Sequence, residues 1–168
     1  MRDLWPSFPT SGPKAPVTIL REQASFLGQK TGNLVEAEVS GESRNIVDET
    51  RKHPGMFLYD FVIVAPALGG YRYRLFQIAH DVSLYPVEIY PDEDILEEIL
   101  PMLTERTGAD EWRIAADQRL LPRRTVLAQS EDEFLDLLEK IFRAKKTAQI
   151  ITGLLVQANA EGSRIIPF

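Results

Sequence analysis

The chain contains no cysteine and only two histidines among its 168 residues. The absence of cysteine excludes disulfide bonds, thiolate nucleophiles and every zinc or iron–sulfur site with cysteine ligands. With His53 and His80 as the only imidazole groups, a transition-metal site is not expected. The sequence therefore predicts a protein without a cofactor.

An excess of positive charge is also absent. Nineteen Lys and Arg residues face 25 Asp and Glu residues, which gives a formal net charge of −6 at pH 7. This sign opposes non-specific attraction to nucleic acid phosphates and to anionic lipids. No stretch approaches the roughly 20 apolar residues of a membrane helix, and the N-terminus lacks the apolar core of a signal peptide. We therefore expect a cytoplasmic protein that binds neither nucleic acid nor membrane.

Four prolines within the first sixteen residues set that segment apart from the rest. Proline lacks a backbone donor and favours extended conformations, so residues 1–16 are predicted to form an arm and residues 17–168 a single domain. The aromatic side chains of the arm are Trp5 and Phe8. We expect them to pack on the domain, as apolar residues near a terminus often do, with contact to a second subunit as the alternative.

The segment from Met56 to Pro91 carries the clearest strand pattern. Residues 56–66 are almost all apolar or aromatic, which is typical of a central strand. The Gly69–Gly70 pair supplies positive φ for a turn, after which residues 71–81 run back antiparallel and residues 86–91 add a third strand. Strict alternation along the second strand predicts one face with Tyr71, Tyr73, Leu75, Gln77 and Ala79, and the other with Arg72, Arg74, Phe76, Ile78 and His80.

Apolar residues at positions 35, 37 and 39 alternate with polar ones, which predicts an edge strand. Helical spacing and cap residues predict helices from Thr18, from Pro91 with a break at Pro101, from Ser130 and from Thr147. The first helix is predicted to bury Ile19, Leu20, Ala24, Phe26 and Leu27. The intervals 41–54 and 109–129 show no sustained period. The predicted fold class is α+β, with an antiparallel sheet of about four strands, a meander, packed on one face by helices.

The first candidate binding surface follows the glycine turn directly and consists of Tyr71, Arg72, Tyr73 and Arg74. Arginine binds planar anions and tyrosine stacks on rings, so this group suits a protein or a small anionic ligand. The alternative is a solvated strand end with ordinary cross-strand pairs. His80 on the same strand is a candidate acid or base, but no nucleophile accompanies it, so an ordinary strand-end histidine is expected.

Asp60 and Glu88 lie in two of the predicted strands. Paired carboxylates on neighbouring strands can hold Mg²⁺ for phosphodiester chemistry. The residues after Glu88 are Ile89 and Tyr90, which departs from the glutamate-x-lysine pattern of the restriction-endonuclease-like nucleases and leaves no lysine to orient water. A salt bridge from Asp60 to an arginine at position 72 or 74 is favoured, because a carboxylate in an apolar strand needs a partner.

These patterns favour a non-enzymatic cytoplasmic interaction or regulatory module. We expect it to bind a protein partner, or a small anionic ligand, through the sheet face and the turn at residues 69–74. A metal-dependent phosphoesterase or nuclease that uses Asp60 and Glu88 is the alternative. An edge strand near residue 37 also makes a homodimer an alternative assembly.

Overall fold

Four α-helices and five strands make up the computed structural model of the chain over the residues that it describes, 1–42, 57–107 and 125–162. The helices are α1 (Pro16–Lys30), α2 (Glu93–Thr107), α3 (Glu131–Phe142) and α4 (Lys145–Gly162). The strands are β1 (Glu36–Glu42), β2 (Phe57–Ala65), β3 (Tyr71–His80), β4 (Val87–Pro91) and β5 (Val126–Ala128). Most of the two intervals without a sustained period, 41–54 and 109–129, lies outside the described residues.

The strands form one antiparallel sheet in the order β1-β2-β3-β4-β5, so every strand pairs with its neighbour in sequence. This meander confirms the predicted α+β class, with five strands rather than about four. The additional strand, β5, is three residues long and falls in the interval 109–129. As predicted, β1 is an edge strand and β2 a central one. Gly69 and Gly70 have φ values of 67° and 72°, the left-handed conformation that glycine adopts without a Cβ clash.

A β-bulge interrupts the pairing of β2 with β3. Phe61 pairs with Phe76, but the next residue, Val62, pairs with Arg74, so Leu75 has no partner in the register. An extra residue inverts the alternation of side chains beyond it. The predicted faces of β3 are therefore wrong from Phe76 onward, whereas Leu75 is buried in the core as its predicted face requires. Phe76, Ile78 and His80 lie on the face of Tyr71 and Tyr73, whereas Gln77 and Ala79 lie on the face of Arg72 and Arg74.

The face that carries Phe61 and Phe76 is covered by the helices and is called the covered face below. The two phenyl rings stack with centroids 5.0 Å apart, and Phe142 of α3 packs against them at 5.2 and 6.0 Å. The buried stripes of the helices join this core through Ile19 and Leu20, Ile95, Ile99 and Leu103, Phe134, Leu137 and Ile141, and Leu154. Each fully buried side chain of this size contributes about 1.5–3 kcal/mol to folding. Packing on one face confirms the predicted arrangement.

Two helix starts differ from the predicted ones because of local chemistry. Helix α1 begins at Pro16 rather than at Thr18, since proline fits the first helical position, where its missing N–H would have no partner. On this helix Phe26 is 51% exposed, so the apolar stripe is narrower than predicted. Helix α4 begins at Lys145, two residues before Thr147, because the Glu98 carboxylate of α2 accepts hydrogen bonds from the Lys145 N–H at 2.8 and 3.1 Å.

The other two helix starts agree with the sequence. The Ser130 hydroxyl accepts a hydrogen bond from the Glu133 N–H at 3.2 Å and begins α3, which confirms that predicted cap. The Asp92 carboxylate accepts from the Asp94 N–H at 3.0 Å at the start of α2. Pro101 lies inside α2 and does not divide it. Among the described helices, none combines the length and the apolar character that crossing a bilayer demands.

Residues 1–14 are all exposed, and Trp5 and Phe8 are 78% and 67% exposed. The expectation that these side chains pack on the domain is therefore wrong. The two rings contact each other instead, with centroids 6.3 Å apart. The arm is fixed at its base, where Lys14 bonds to three elements: its N–H donates to Glu131, its ammonium pairs with Glu22, and its carbonyl accepts from the Tyr85 hydroxyl at 3.2 Å.

Gly41 provides a test of the edge strand. It lies directly opposite Tyr59, and a Cβ at this position would lie 2.1 Å from Cδ1 of the tyrosine ring. We expect Gly41→Ala to lower the free energy of unfolding by about 1–3 kcal/mol in urea denaturation, because the ring must leave its place. The control is Gly153→Ala on α4, where a Cβ meets no atom within 4 Å and the helix gains about 0.5–1 kcal/mol. Equal effects of the two substitutions would contradict this account.

Tyr85 provides a test of the base of the arm. Burial, with a smaller contribution from Glu131, raises its pKa from 10.0 to about 12. A raised pKa in the folded state gives stability that is complete below pH 10 and is lost as the pH rises through about 12. We expect the free energy of unfolding to fall over this window less steeply in Tyr85→Phe than in the wild type. Denaturation series at several pH values measure this, and parallel curves would refute it.

Candidate functional site

The sheet face opposite the helices is called the open face. By register it carries Glu36, Glu38, Ser40, Leu58, Asp60, Val62, Val64, Arg72, Arg74, Gln77, Ala79, Glu88, Tyr90 and Leu127. Its apolar members do not belong to the core that the helices share. Val62 lies directly opposite Arg74, and Val64 opposite Arg72, so the aliphatic stems of the two arginines lie beside these valines. Within the described ranges, no helix packs on this face.

Both arginines of the candidate site lie on the open face, and both have carboxylate partners. Arg72 reaches across β2 to Glu38 on β1, with Nη1 2.7 Å from Oε2. Arg74 lies with Nη1 3.7 Å from Oδ1 of Asp60, which confirms the predicted ion pair and identifies its cation. The Arg72 and Glu38 side chains are 50% and 51% exposed, so this pair contributes at most about 1 kcal/mol. Each guanidinium group thus has a carboxylate within 4 Å, and the Arg74 contact is an ion pair without a hydrogen bond to Oδ1 of Asp60.

The tyrosines of the candidate site lie on the covered face, on the other side of the sheet. The Tyr73 hydroxyl donates to the carboxylate of Asp92 at the start of α2. Burial, the hydrogen bond and the Asp92 charge together raise the pKa of Tyr73 well above its ordinary value, so the phenol stays protonated. Beside it, Lys146 of α4 pairs with Asp94 at 3.1 Å. Tyr73 therefore links β3 to α2, and Tyr71 is 45% exposed at the rim of this contact.

His80 lies at the opposite end of β3 from Tyr71, more than about 25 Å away at the rise of a strand. Its ring is 3% exposed and stacks between Phe57 and Tyr59, with centroids 5.4 and 6.0 Å away. Nδ1 lies 2.8 Å from the carbonyl oxygen of Asp81, while Nε2 has no hydrogen-bond partner in the described part of the chain. The five residues of the candidate site thus occupy three separate places.

Asp60 and Glu88 do not lie on neighbouring strands, because β3 runs between β2 and β4. Two strand spacings separate their backbones by roughly 10 Å across the sheet. Asp60 pairs with Arg74, and Glu88 accepts a hydrogen bond from the Tyr90 hydroxyl at 2.6 Å. Over residues 1–42, 57–107 and 125–162, no three acidic or histidine side chains converge in the way that a metal ion requires. Asp60 and Glu88 therefore do not form the pair on neighbouring strands from which such a site was expected.

A cleft that the sequence analysis did not identify lies where β3 and β4 separate at the bulge. It encloses about 300 Å³ and is lined by Arg74, Leu75, Phe76, Gln77, Tyr90, Pro91, Asp92, Glu93 and Leu96. Its one cation, Arg74, pairs with Asp60, and its other charges are the carboxylates of Asp92 and Glu93. The cleft therefore offers no unpaired cation to an anion.

A second concavity lies between α1 and the edge strand β1 and is called the edge groove. It has a volume of about 450 Å³ and is lined by Arg21, Ala24, Ser25, Gly28, Gln29, Asn33, Glu36, Ala37 and Val39. The α1 residues share one helical face and include three small ones at positions 24, 25 and 28. Small residues at this spacing, next to a predicted edge strand, are the sequence signal for the groove.

Comparison of the chain with protein-family models, with curated proteins and with solved structures finds no match. The function is therefore inferred from the geometry of this chain alone.

The environment of His80 generates a test of its role. Phenylalanine keeps the aromatic stack with Phe57 and Tyr59 and removes the nitrogen without a partner, so we expect His80→Phe to stay within about 1 kcal/mol of the wild type. His80→Ala leaves a cavity and is expected to lose about 2–4 kcal/mol. Urea denaturation compares the two variants. If His80→Phe cost as much as His80→Ala, the contact of Nδ1 with the Asp81 carbonyl would stabilise the fold more than the aromatic stack does.

Proposed function

We propose that the chain is a non-enzymatic cytoplasmic interaction module that binds a protein partner through the open face and the adjoining turn at residues 69–74. The observation that carries this proposal is the one-sided arrangement of the sheet. The described helices pack on the covered face, and the opposite face combines exposed arginines with an apolar floor. Arginine side chains above an apolar floor, on a face that no described helix covers, are features that protein interfaces share.

Charge supports a protein partner over a small anion. Among the side chains that the structure describes, the open face carries four carboxylates, those of Glu36, Glu38, Asp60 and Glu88, and two guanidinium groups. A free phosphate or carboxylate would have to displace Glu38 or Asp60 from its arginine against a local excess of negative charge. A protein partner instead carries both basic and acidic groups on its surface. It can therefore replace both ion pairs of the open face with ion pairs across the interface.

The side-chain composition agrees with this choice. Arginine and tyrosine are enriched among the residues that dominate binding energy in protein interfaces, and the open face holds Arg72, Arg74 and Tyr90. Tyr71 lies 45% exposed beside the glycine turn and extends the surface around the sheet end. The valines beneath the arginine stems provide the apolar floor that such anchors need.

A capture experiment with two versions of the protein tests the open face as a binding surface. Wild-type protein and the Arg72→Ala, Arg74→Ala variant are used in parallel to capture proteins from lysate of the source cell, and each protein retained by the wild type alone is purified and titrated. We expect the double variant to weaken its Kd at least about tenfold, because two interface anchors are lost. The control Arg143→Ala, Lys145→Ala makes the same charge change on the helix side and is expected to bind like the wild type.

A photo-crosslinking residue locates the contact independently of charge. Placed at Gln77 on the open face, it should attach to the purified partner, whereas at the exposed Gln149 on α4 it should not. An unchanged Kd in the arginine variant, together with crosslinking from position 149, would place the binding surface elsewhere.

A further inference from the structure

The edge strand β1 has seven residues and pairs with β2 on one side only. The backbone N–H and C=O groups of its outer side have no strand partner in the described part of the chain. Its sequence, EAEVSGE, contains no proline, and its pairing with β2 is continuous, without a bulge. A long, regular edge of this kind is a template for another strand, and proteins usually shorten, twist or charge such edges.

The edge groove lies on the covered side of the same strand. Ala37 and Val39 of β1 form one wall and the small side of α1 forms the other. A strand added to β1 would continue the sheet, so alternate side chains would enter this groove, and the remaining ones would lie on the open face beside Glu36 and Glu38. The groove has a volume of about 450 Å³, room for several small or medium side chains. Ala24, Gly28, Ala37 and Val39 are its apolar part, and Arg21, Gln29 and Asn33 are among its polar lining residues.

The charged residues of β1 indicate which side chains an added strand should carry. Three of the seven β1 residues are glutamates and none is basic. On the open face, Glu38 is partnered by Arg72, while Glu36 has no ion pair within the described residues. Opposite charges on adjacent strands stabilise a sheet and like charges destabilise it. The added strand should therefore present lysine or arginine to the open face.

We propose that β1 and the edge groove bind an extended peptide of a partner protein by strand addition, with basic residues alternating with small or medium apolar ones. Backbone hydrogen bonds to β1 supply affinity and the alternating side chains supply selectivity. The site adjoins the arginine surface of the open face, because Arg72 pairs with Glu38. Its groove and the outer backbone edge of β1 lie outside that surface, so variants of the groove test the two contacts separately.

A second copy of the chain does not fit this edge. Two β1 strands in antiparallel pairing would bring six glutamates together, and neither β1 strand contributes a basic residue to balance them. The proline-rich arm of another copy does not fit either. In an extended strand, every second residue directs its N–H group to the neighbouring strand. Pro6 and Pro9 are three residues apart, so one of them would occupy a position whose N–H should bond to β1, and proline has no N–H. The occupant is therefore expected to be a different protein.

A synthetic eight-residue peptide that alternates lysine and valine is the probe, and fluorescence anisotropy measures its Kd. The matched peptide with glutamate in place of lysine should bind at least about tenfold more weakly. A third peptide with the lysine–valine sequence and every backbone nitrogen methylated keeps the charge and loses the strand donors, so it should not bind. Equal binding of the methylated and unmethylated peptides would overturn the assignment to strand addition.

Protein variants locate the site. Ser25→Trp fills the groove from an exposed position of α1 and should weaken binding of the lysine–valine peptide at least about tenfold without lowering the melting temperature. Glu36→Lys should weaken it about fivefold or more, while Glu97→Lys, the same charge change on the exposed side of α2, should leave it within about twofold.

The remaining outcomes separate the two surfaces. Binding that survives Arg72→Ala, Arg74→Ala supports a site separate from the open-face contact. Binding lost in that double variant but unchanged in Ser25→Trp would overturn the groove and assign the peptide to the arginines. A wild-type dimer in sedimentation that dissociates in Ser25→Trp would assign the groove to a second copy and also overturn the peptide site.

Discussion

The unpaired residue in β3 determines what each face of the sheet presents. Because Leu75 has no partner in β2, Phe76 comes into register with Phe61, and the two rings form the centre of the core with Phe142. Without the bulge, Phe76 would lie on the side of Arg74, and the aromatic core would be divided between the two faces of the sheet. The helices pack on one side of this sheet because the bulge collects its large apolar residues there.

The same residue divides β3 into two parts with different side chains on the open face. Before the bulge, β3 presents arginines to the open face and tyrosines to the helices; after it, the open face receives Gln77 and Ala79. Leu75 also connects the sheet to the next element, because its carbonyl accepts a hydrogen bond from the N–H of Asp92 at 3.0 Å. Asp92 in turn caps α2 and accepts from Tyr73. The contacts of Asp92 with Leu75 and Tyr73 thus connect strand β3 and the core to the start of helix α2.

Much of the fold could be predicted from local sequence signals. Alternation identified the edge strand near residue 37, the glycine pair identified the turn after β2, and Ser130 identified the start of α3. Features that depend on distant contacts could not be predicted. The start of α4 depends on Glu98 from another helix, and the bulge depends on the register of two strands. The prediction of the candidate site was the least successful. The shifted register moved His80 to the other face, and the strand order, in which β3 lies between β2 and β4, separates the two carboxylates.

The arm has a fixed origin, since Lys14 is bonded to α1, α3 and Tyr85. From that point, residues 1–13 extend at most roughly 45 Å. A segment with an anchored base and exposed aromatic rings would act as a tether. A molecule held by Trp5 would stay within roughly 30 Å of Lys14, the span of nine extended residues. Confinement of this kind corresponds to effective concentrations on the order of millimolar. Even a weak contact at the tip would then keep its ligand near the sheet, and the length of the arm sets how far that ligand travels.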